Sequence, residues 1–460
     1  MPDYDIAIIG AGPGGYVAAI RAAKRGLKTV VVERDALGGV CLNWGCIPSK
    51  ALLHSAEVLQ LFRRAEEFGL SFDNLQFDIG KAVDRSRKVV ATLTRGVASL
   101  LKKNKVEHIK GEARFVDAHT LEISPNGQVV TSSNVIIATG ARPRSIPGLE
   151  IDGQRVMTSR EALELREVPR SIVIVGGGAI GAEFAYLYNT CGGEVTIVEM
   201  LPRLLPIEDE EISRLLERSF ARQGIKLLTG TRVKTAAKWE NGLRLEVEWG
   251  EEATALEAER VLVAVGIQAN TEDLGLDKIG VELERGYVKV DASMSTNVPG
   301  VYAIGDVTGI LPLAHVAQAQ GVLAVERIAG LDSPNLNYEL MPKATYCHPQ
   351  VASFGLTEKQ AVERGHEVKM GRFPFQASGK AQAIGEVEGM VKVVADKSHG
   401  EMLGVHMIGP DVTELLGELS LGRLLEGTTH ELGRLVHSHP TLSEALKEAA
   451  LDADGQAIHI

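Results

Sequence analysis

Short apolar runs recur along the chain, and each is closed by a turn residue. Ile6-Ala-Ile-Ile9 is a run of the buried parallel-strand type. Gly10-Ala-Gly12-Pro-Gly-Gly15 follows, then a helical pattern from Tyr16 to Arg25 closed by Gly26, then a second apolar run from Thr29 to Val32 ending at Glu33. Strand, glycine turn, helix, strand and terminal acid is the context in which a glycine triplet reads as a dinucleotide fingerprint. The first glycine makes the turn, the second lets backbone approach a pyrophosphate, and the third packs helix on strand. The helix N-terminus faces the phosphates, and Glu33 accepts ribose hydroxyls.

The unit occurs twice. Ile172-Val-Ile-Val175 leads to Gly176-Gly-Gly178-Ala-Ile-Gly181, a helix follows to about Thr190, and Glu194-Val-Thr-Ile-Val198 ends at Glu199. The plain alternative for either copy is a glycine-rich turn that binds nothing; two copies imply two dinucleotides. A carboxylate at Glu199 repels a 2′-phosphate, which favours NAD over NADP in the second unit; otherwise Glu199 is a solvated strand-end acid. Val135-Ile-Ile-Ala-Thr-Gly140 and Val261-Leu-Val-Ala-Val-Gly266 are apolar strands ending in glycine. Each returns its unit to the sheet after an insertion of short strands, at residues 110–131 and 226–258. Val301-Tyr-Ala-Ile-Gly305-Asp306 is a further buried strand. Asp306 either holds a phosphate- or ribitol-type group or caps a helix.

From about residue 338 the pattern changes. Short strands at Ala344–Tyr346, Val351–Gly355, Met390–Val394 and Met402–His406 alternate with helical stretches, with no glycine fingerprint. This predicts a mixed α+β domain. Near its end stands His437-Ser-His439-Pro-Thr441-Leu-Ser-Glu444. Thr441 and Glu444 have capping-box spacing. A histidine with a carboxylate close by is also an acid–base arrangement for thiol chemistry. The sequence leaves the two readings even.

With 460 residues the chain exceeds one core, so roughly two to four domains are expected. The formal charge of −11 and the lack of a basic run argue against nucleic acid or an anionic membrane as main partner. No apolar run reaches the ~18 residues of a membrane span. The start, Met-Pro-Asp-Tyr-Asp, has no signal-peptide pattern. Four cysteines do not make a disulfide scaffold; a reducing, cytoplasmic compartment with one catalytic pair is expected.

That pair is Cys41 and Cys46, in Cys-Leu-Asn-Trp-Gly-Cys-Ile-Pro-Ser-Lys. The spacing is wrong for zinc, and no second pair exists, because Cys191 and Cys347 are isolated. Five residues of straight helix rise about 7.5 Å, whereas disulfide Cα atoms lie roughly 4.4–6.8 Å apart. The segment must turn between the cysteines, and Gly45 permits it. Pro48 suits a first helical turn, and Lys50 shares a helix face with Cys46. A thiolate at a helix start beside a cation is reactive; the bland alternative is two buried structural cysteines.

Together these motifs resemble the flavoprotein disulfide reductases over essentially the whole chain. Cys41 to Lys50 and His439-Pro-Thr-Leu-Ser-Glu444 are similar to the branch that oxidises dihydrolipoamide and reduces NAD. The NADP-dependent branches usually carry basic residues where this chain has Glu199, Met200 and Leu201. The resemblance implies an α/β fold with two Rossmann-like domains and a C-terminal α+β dimerisation domain. FAD would take residues 1–149 and 270–337, NAD 150–269, and the homodimer interface 338–460. FAD contacts would include Gly10, Gly12, Gly15, Glu33, Lys50, Ala113, Thr139, Gly140, Asp306 and Ala314. NAD contacts would include Gly176, Gly178, Gly181, Glu183, Glu199, Val233 and Gly266, with Ile180 shielding the flavin. One departure stands at Gly266-Ile-Gln-Ala-Asn270, where the family more often has Gly-Arg-x-Pro-Asn. The resemblance makes Cys41–Cys46 a redox disulfide, His439 the base and Glu444 its orienting acid, both from the partner subunit, with a Lys50–Glu183 pair tuning the flavin. It implies as partners the lipoyl domain of an acyltransferase subunit and its peripheral subunit-binding domain. A reductase of the same fold for another disulfide, or a non-catalytic NADH-binding subunit, are the alternatives.

Overall fold

The computed structural model describes residues 2–240, 242–250 and 252–460. It forms two compact units. The first comprises Met1–Leu52, Gly80–Arg144 and Gly266–Leu336; the second comprises Leu53–Ile79, Ser145–Val265 and Asn337–Ile460.

In the first unit, strands Glu107–Lys110, Thr29–Glu33, Tyr4–Ile9 and Gln128–Ile137 pair in that order, all parallel, and Val301–Ala303 joins the far side of Gln128–Ile137. Val30, Val31 and Val32 are almost wholly buried, as the unbroken apolar runs require. Gln128–Ile137 serves twice. Its first half pairs antiparallel with Thr120–Ser124, inside a small meander with Glu112–Asp117. Its second half returns to the parallel sheet beside Tyr4–Ile9. Helix Pro13–Lys24 crosses helix Ala314–Ile328 at their glycines: a Cβ on Gly321 would stand 2.8 Å from the Gly14 carbonyl oxygen.

The second unit holds two sheets. Lys226–Thr229, Glu194–Glu199, Ser171–Val175, Arg260–Val263 and Val156–Met157 form a parallel sheet, with helix Ala179–Thr190 behind the glycine turn. Thr231–Trp239, Gly242–Trp249 and Glu252–Ala258 form the inserted antiparallel sheet. The C-terminal sheet is antiparallel, in the order Lys343–Thr345, Gln350–Gly355, Met402–Gly409, Met390–Asp396, Val368–Pro374. Helices Val412–Leu424 and Glu444–Ala453 pack on it over a core built from Phe354, Phe373, Val391, Val405, Leu446 and Ala449. Lys392, in the middle of that sheet, reaches Asp209 at 2.9 Å and Glu358 at 2.8 Å, which ties the C-terminal sheet to the segment before helix Glu210–Arg222.

Among the described residues no helix is long and apolar enough to cross a membrane.

Candidate active site

Helix Gly39–Trp44 carries Cys41 and ends at Gly45, whose φ −140 and ψ −117 break the helical path. Helix Cys46–Arg63 starts immediately after, with Pro48 in its first turn. The turn expected between the cysteines is therefore this break. A side chain at Gly45 would press on the Val40 carbonyl oxygen at 3.1 Å. The pair stands as two thiols, half-buried, with a hydrogen bond between the side chains. That bond and burial push the Cys41 thiol far above its ordinary value, against the nearby Lys50 ammonium. The proton thus stays on Cys41.

The first turn of helix Gly39–Trp44 is fastened to the first glycine loop. Gly38 donates its N–H to the Ala11 carbonyl at 2.8 Å. A Cβ on Gly39 would stand 2.7 Å from the Gly12 Cα. Asn43 adds a brace, its amide donating to the Leu37 and Gly39 carbonyls. The thiols are thereby placed beside the dinucleotide loop by backbone contact.

Both glycine loops have the same construction. Gly10, at φ +103, passes so close to the Ala138 carbonyl that no side chain fits; Gly176, at φ +113, does the same at Ala264. Gly15 and Gly181 are closed against the carbonyl of the loop's own first glycine, and contacts to Ala138 and Ile174 complete the helix–strand packing. Gly12 and Gly178 are the N-caps of their helices, make no side-chain cap, and have nothing within 4 Å of a Cβ position. An uncapped helix start with open space above it offers amide donors to a pyrophosphate. The residues present fit two dinucleotides.

The strand-end acids are also alike, and neither is solvated. Glu33 is 9% exposed and accepts N–H groups of Ala11 at 2.7 Å and Asp35 at 2.8 Å. Glu199 accepts those of Gly177 and Leu201. Each carboxylate fixes its loop and keeps spare lone pairs for ribose hydroxyls.

Ala113 and Val233 sit at matching places in the two insertions, both buried, so they offer backbone rather than side chain. Thr139 and Asn270 exchange two hydrogen bonds, of 2.8 and 2.9 Å, beside Gly140 at φ +68. Asn270 thus holds the first unit together where the chain departs from the family pattern; Gly266 keeps φ +109. Asp306 lies in a short 3-10 turn, Gly305–Thr308, and burial raises its pKa, so its side chain faces a poorly solvated place. Ala314 opens helix Ala314–Ile328. Lys50 is on helix Cys46–Arg63, half-buried. In the second unit, Ile180 is 43% exposed on the first turn of helix Ala179–Thr190. Glu183, buried in the next turn, accepts the Tyr346 N–H at 3.0 Å. Cys191 and Cys347 are not joined in a disulfide, and the buried Cys347 thiol donates to the Pro349 carbonyl at 3.2 Å.

In the C-terminal part of the second unit's sequence, His439 Nδ1 lies 2.8 Å from Glu444 Oε1. Glu444 Oε2 accepts the Thr441 N–H at 2.8 Å. The expected capping box is only half present: the Thr441 hydroxyl turns away to the Ser438 carbonyl, and helix Glu444–Ala453 begins with no side-chain cap. One carboxylate therefore makes contacts belonging to both readings that the sequence left open, one to His439 and one to the Thr441 backbone. Burial pushes the Glu444 carboxyl up, but the Thr441 N–H, His439 and His437 together take it below its ordinary range. The His439 side chain is 78% exposed, with Nε2 directed away from its acid partner. Helix Glu444–Ala453 lies tight on strand Val368–Pro374, because a side chain at Gly371 would collide with the Ala449 carbonyl.

Two neighbours escaped the sequence reading. His437 pairs with Glu418 at 2.8 Å, and His459 with Glu448 at 3.0 Å. Each acid lies more than a helical turn away along the chain, so no local spacing marks it.

Residues 4–321 match the family described as pyridine nucleotide-disulphide oxidoreductase, and residues 341–450 match its dimerisation domain. A dihydrolipoyl dehydrogenase of Chlorobaculum tepidum is 50% identical over 454 residues, 98% of this chain and 97% of that protein. One of Mycobacterium leprae is 51% identical over 457 residues, 97% of each. Among solved structures, LpdA of Mycobacterium tuberculosis superposes with a TM-score of 0.91 at 28% identity, over 97% of this chain and 99% of that one. The HOCl-induced flavoprotein disulfide reductase RclA of Escherichia coli gives 0.86 at 26% identity, over 97% and 99%. With its paired thiols, its two glycine loops and nearly its whole length matched, the chain belongs to the pyridine nucleotide-disulphide oxidoreductase family.

Proposed function

We propose that this chain is the enzyme that oxidises protein-bound dihydrolipoamide to lipoamide and reduces NAD. The observation that carries the reading is the thiol pair, held in contact across the Gly45 break on a helix fastened to the first glycine loop. Relatives at about half identity bear the name of this activity. FAD bound at the first loop would supply the two-electron chemistry that links the dithiol to NAD bound at the second.

The chain's own groups do the thiol chemistry. In the oxidised enzyme, Cys41 and Cys46 form a disulfide. His439 Nε2 takes the proton of one substrate thiol, and Glu444 stabilises the imidazolium through Nδ1. The substrate thiolate attacks Cys41 Sγ, the Cys41–Cys46 bond breaks, and Cys46 leaves as thiolate. The second substrate thiol, losing its proton, attacks the substrate sulfur bound to Cys41. Lipoamide departs, and Cys41 leaves as thiolate and takes up a proton; its raised pKa favours this. Two electrons now rest on the Cys41–Cys46 pair.

Glycines 10, 12 and 15 with Glu33 would hold FAD, joined by Lys50, Ala113, Thr139, Gly140, Asp306 and Ala314. Glycines 176, 178, 181 and 266 with Glu199 and Val233 would hold NAD. We place Ile180 over the flavin and Lys50 with Glu183 beside it. We assign residues 1–149 and 270–337 to the FAD domain, 150–269 to the NAD domain and 338–460 to the interface of a homodimer. In that dimer, His439 and Glu444 of the partner subunit serve Cys41. The lipoyl domain of an acyltransferase and its peripheral subunit-binding domain are the proposed partners, and the cytoplasm, where thiols stay reduced, the compartment.

The test is turnover of free dihydrolipoamide with NAD, followed by mixing of Cys41→Ser chains with His439→Gln chains. Each parent is expected to be inactive and the mixed dimer active. No lipoamide turnover by the wild type would favour a reductase acting on another disulfide, the reading that the likeness to RclA supports. Inactive mixtures would overturn the partner assignment.

A further inference from the structure

Residues 435–440 carry His439 between helix Thr429–Arg434 and helix Glu444–Ala453. Leu435, Val436, Ser438, His439 and Pro440 are all exposed, Val436 at 88%. His437 is the exception. Its side chain is 7% exposed, and Nε2 lies 2.8 Å from Glu418 Oε1 on helix Val412–Leu424. Its Nδ1 is buried with no hydrogen-bond partner among the described residues. An imidazole with one nitrogen satisfied and the other orphaned costs free energy that an apolar side chain of similar size would not. Stability alone does not call for a histidine there. What the pair does supply is direction. It anchors the loop two residues before His439, as Glu444 and Thr441 anchor it after. His439 is strung between two carboxylates on two different helices.

We propose that His437 and Glu418 are a positioning pair for the thiol half-reaction, holding the 435–440 loop so that His439 Nε2 meets the substrate thiol. This rests on the reading of His439 as the base. A misplacement of about 1 Å is enough to cost roughly a hundredfold in rate.

The test uses the FAD-loaded dimer carrying His437→Ala, Glu418→Ala, both together, or Glu418→Gln. Three quantities are read: kcat and KM with dihydrolipoamide, NADH oxidation by an artificial acceptor that bypasses the thiols, and bound FAD. Each alanine variant is expected to lose roughly tenfold to a hundredfold in lipoamide kcat, with KM and acceptor turnover little changed. The double variant should be no worse than the poorer single one, because residues acting as a unit are not additive. Glu418→Gln, which still accepts from Nε2–H, should recover most of the loss. Should an alanine variant fail to hold FAD, His437→Leu, which fills the space without the bond, carries the same expectation. Unchanged lipoamide kcat, multiplicative losses, or parallel losses in both activities would overturn the proposal. His439→Gln is run alongside. Full lipoamide turnover there would sink the base assignment, and the positioning pair with it. A dead His439→Gln beside a normal His437→Leu would sink the positioning pair alone.

Discussion

Glu199 accepts the amide N–H of Gly177 at 2.5 Å, so the last residue of one strand closes the glycine loop that follows its neighbour. Its other oxygen takes the Leu201 N–H at 2.7 Å, and the residue is 8% exposed. A carboxylate held from both sides cannot swing out of the way of a 2′-phosphate. Wild type is therefore expected to prefer NAD strongly. Glu199→Gln removes the charge and keeps an acceptor oxygen, and should narrow that preference by about tenfold or more. The ratio of kcat/KM for the two nicotinamides measures it. An NADP preference in the wild type would refute the assignment.

Cys41→Ser and Cys46→Ser are each expected to abolish lipoamide turnover while FAD binding and NADH oxidation by an artificial acceptor persist. The fastening of the thiol helix to the glycine loop runs through backbone, the Gly38 N–H on the Ala11 carbonyl and the close approach of Gly39 to Gly12, which neither substitution alters. The two variants should still differ in trapping. Cys41, left alone in Cys46→Ser, should form a mixed disulfide with an activated aromatic disulfide faster than Cys46 does in Cys41→Ser, as expected of the thiol that meets substrate. Intact-mass kinetics read this directly, and the reverse order would exchange the two roles.

Lys392 is 3% exposed and faces Asp209 at 4%. Burial pushes the Asp209 carboxyl up, but the Lys392 ammonium, with His406 near, brings it below its ordinary value. A lowered carboxyl contributes stability that is complete above the unfolded value of about 3.9 and is lost as pH falls through the folded one. Lys392→Met leaves Asp209 buried without its cation, a loss of about 3–5 kcal/mol. Its melting temperature should fall clearly at pH 7, and the gap to wild type should close below about pH 4. A pH-independent gap would mean that packing, not charge, is what the substitution removes.

Much of this was legible in the sequence because the signals are local. Strand, glycine turn and helix lie within thirty-odd residues, so both dinucleotide units and both return strands fall where the patterning puts them. Strand Val368–Pro374 did not, since Lys-Met-Gly-Arg breaks its alternation. Gly371 looks like a defect in the sequence and is the seat of helix Glu444–Ala453 in the structure. Glu418 and Lys392 were likewise invisible, because each finds its partner on an element that only the tertiary fold brings near. The capping-box spacing at Thr441 and Glu444 misled by half: the acid's backbone bond forms, and the hydroxyl's does not.

Glu444→Gln separates the proposed orienting role of that acid from its backbone contact. Glutamine can still accept the Thr441 N–H, so the start of helix Glu444–Ala453 should hold. It cannot compensate the positive charge that His439, as the proposed base, would acquire on taking the substrate proton. Because the Glu444 carboxyl lies below its ordinary range, wild type keeps that negative charge at every pH above about 4.3. A pH dependence between about 5 and 8 must come from other groups. Lipoamide kcat in Glu444→Gln is expected to fall at least about 10²-fold across that whole range, with melting temperature, FAD content and artificial-acceptor turnover unchanged. A lost cap would give the opposite pattern, about 0.5–2 kcal/mol of stability gone and kcat intact. Near-normal lipoamide turnover in this variant would return Glu444 to a purely structural part and leave His439 working alone.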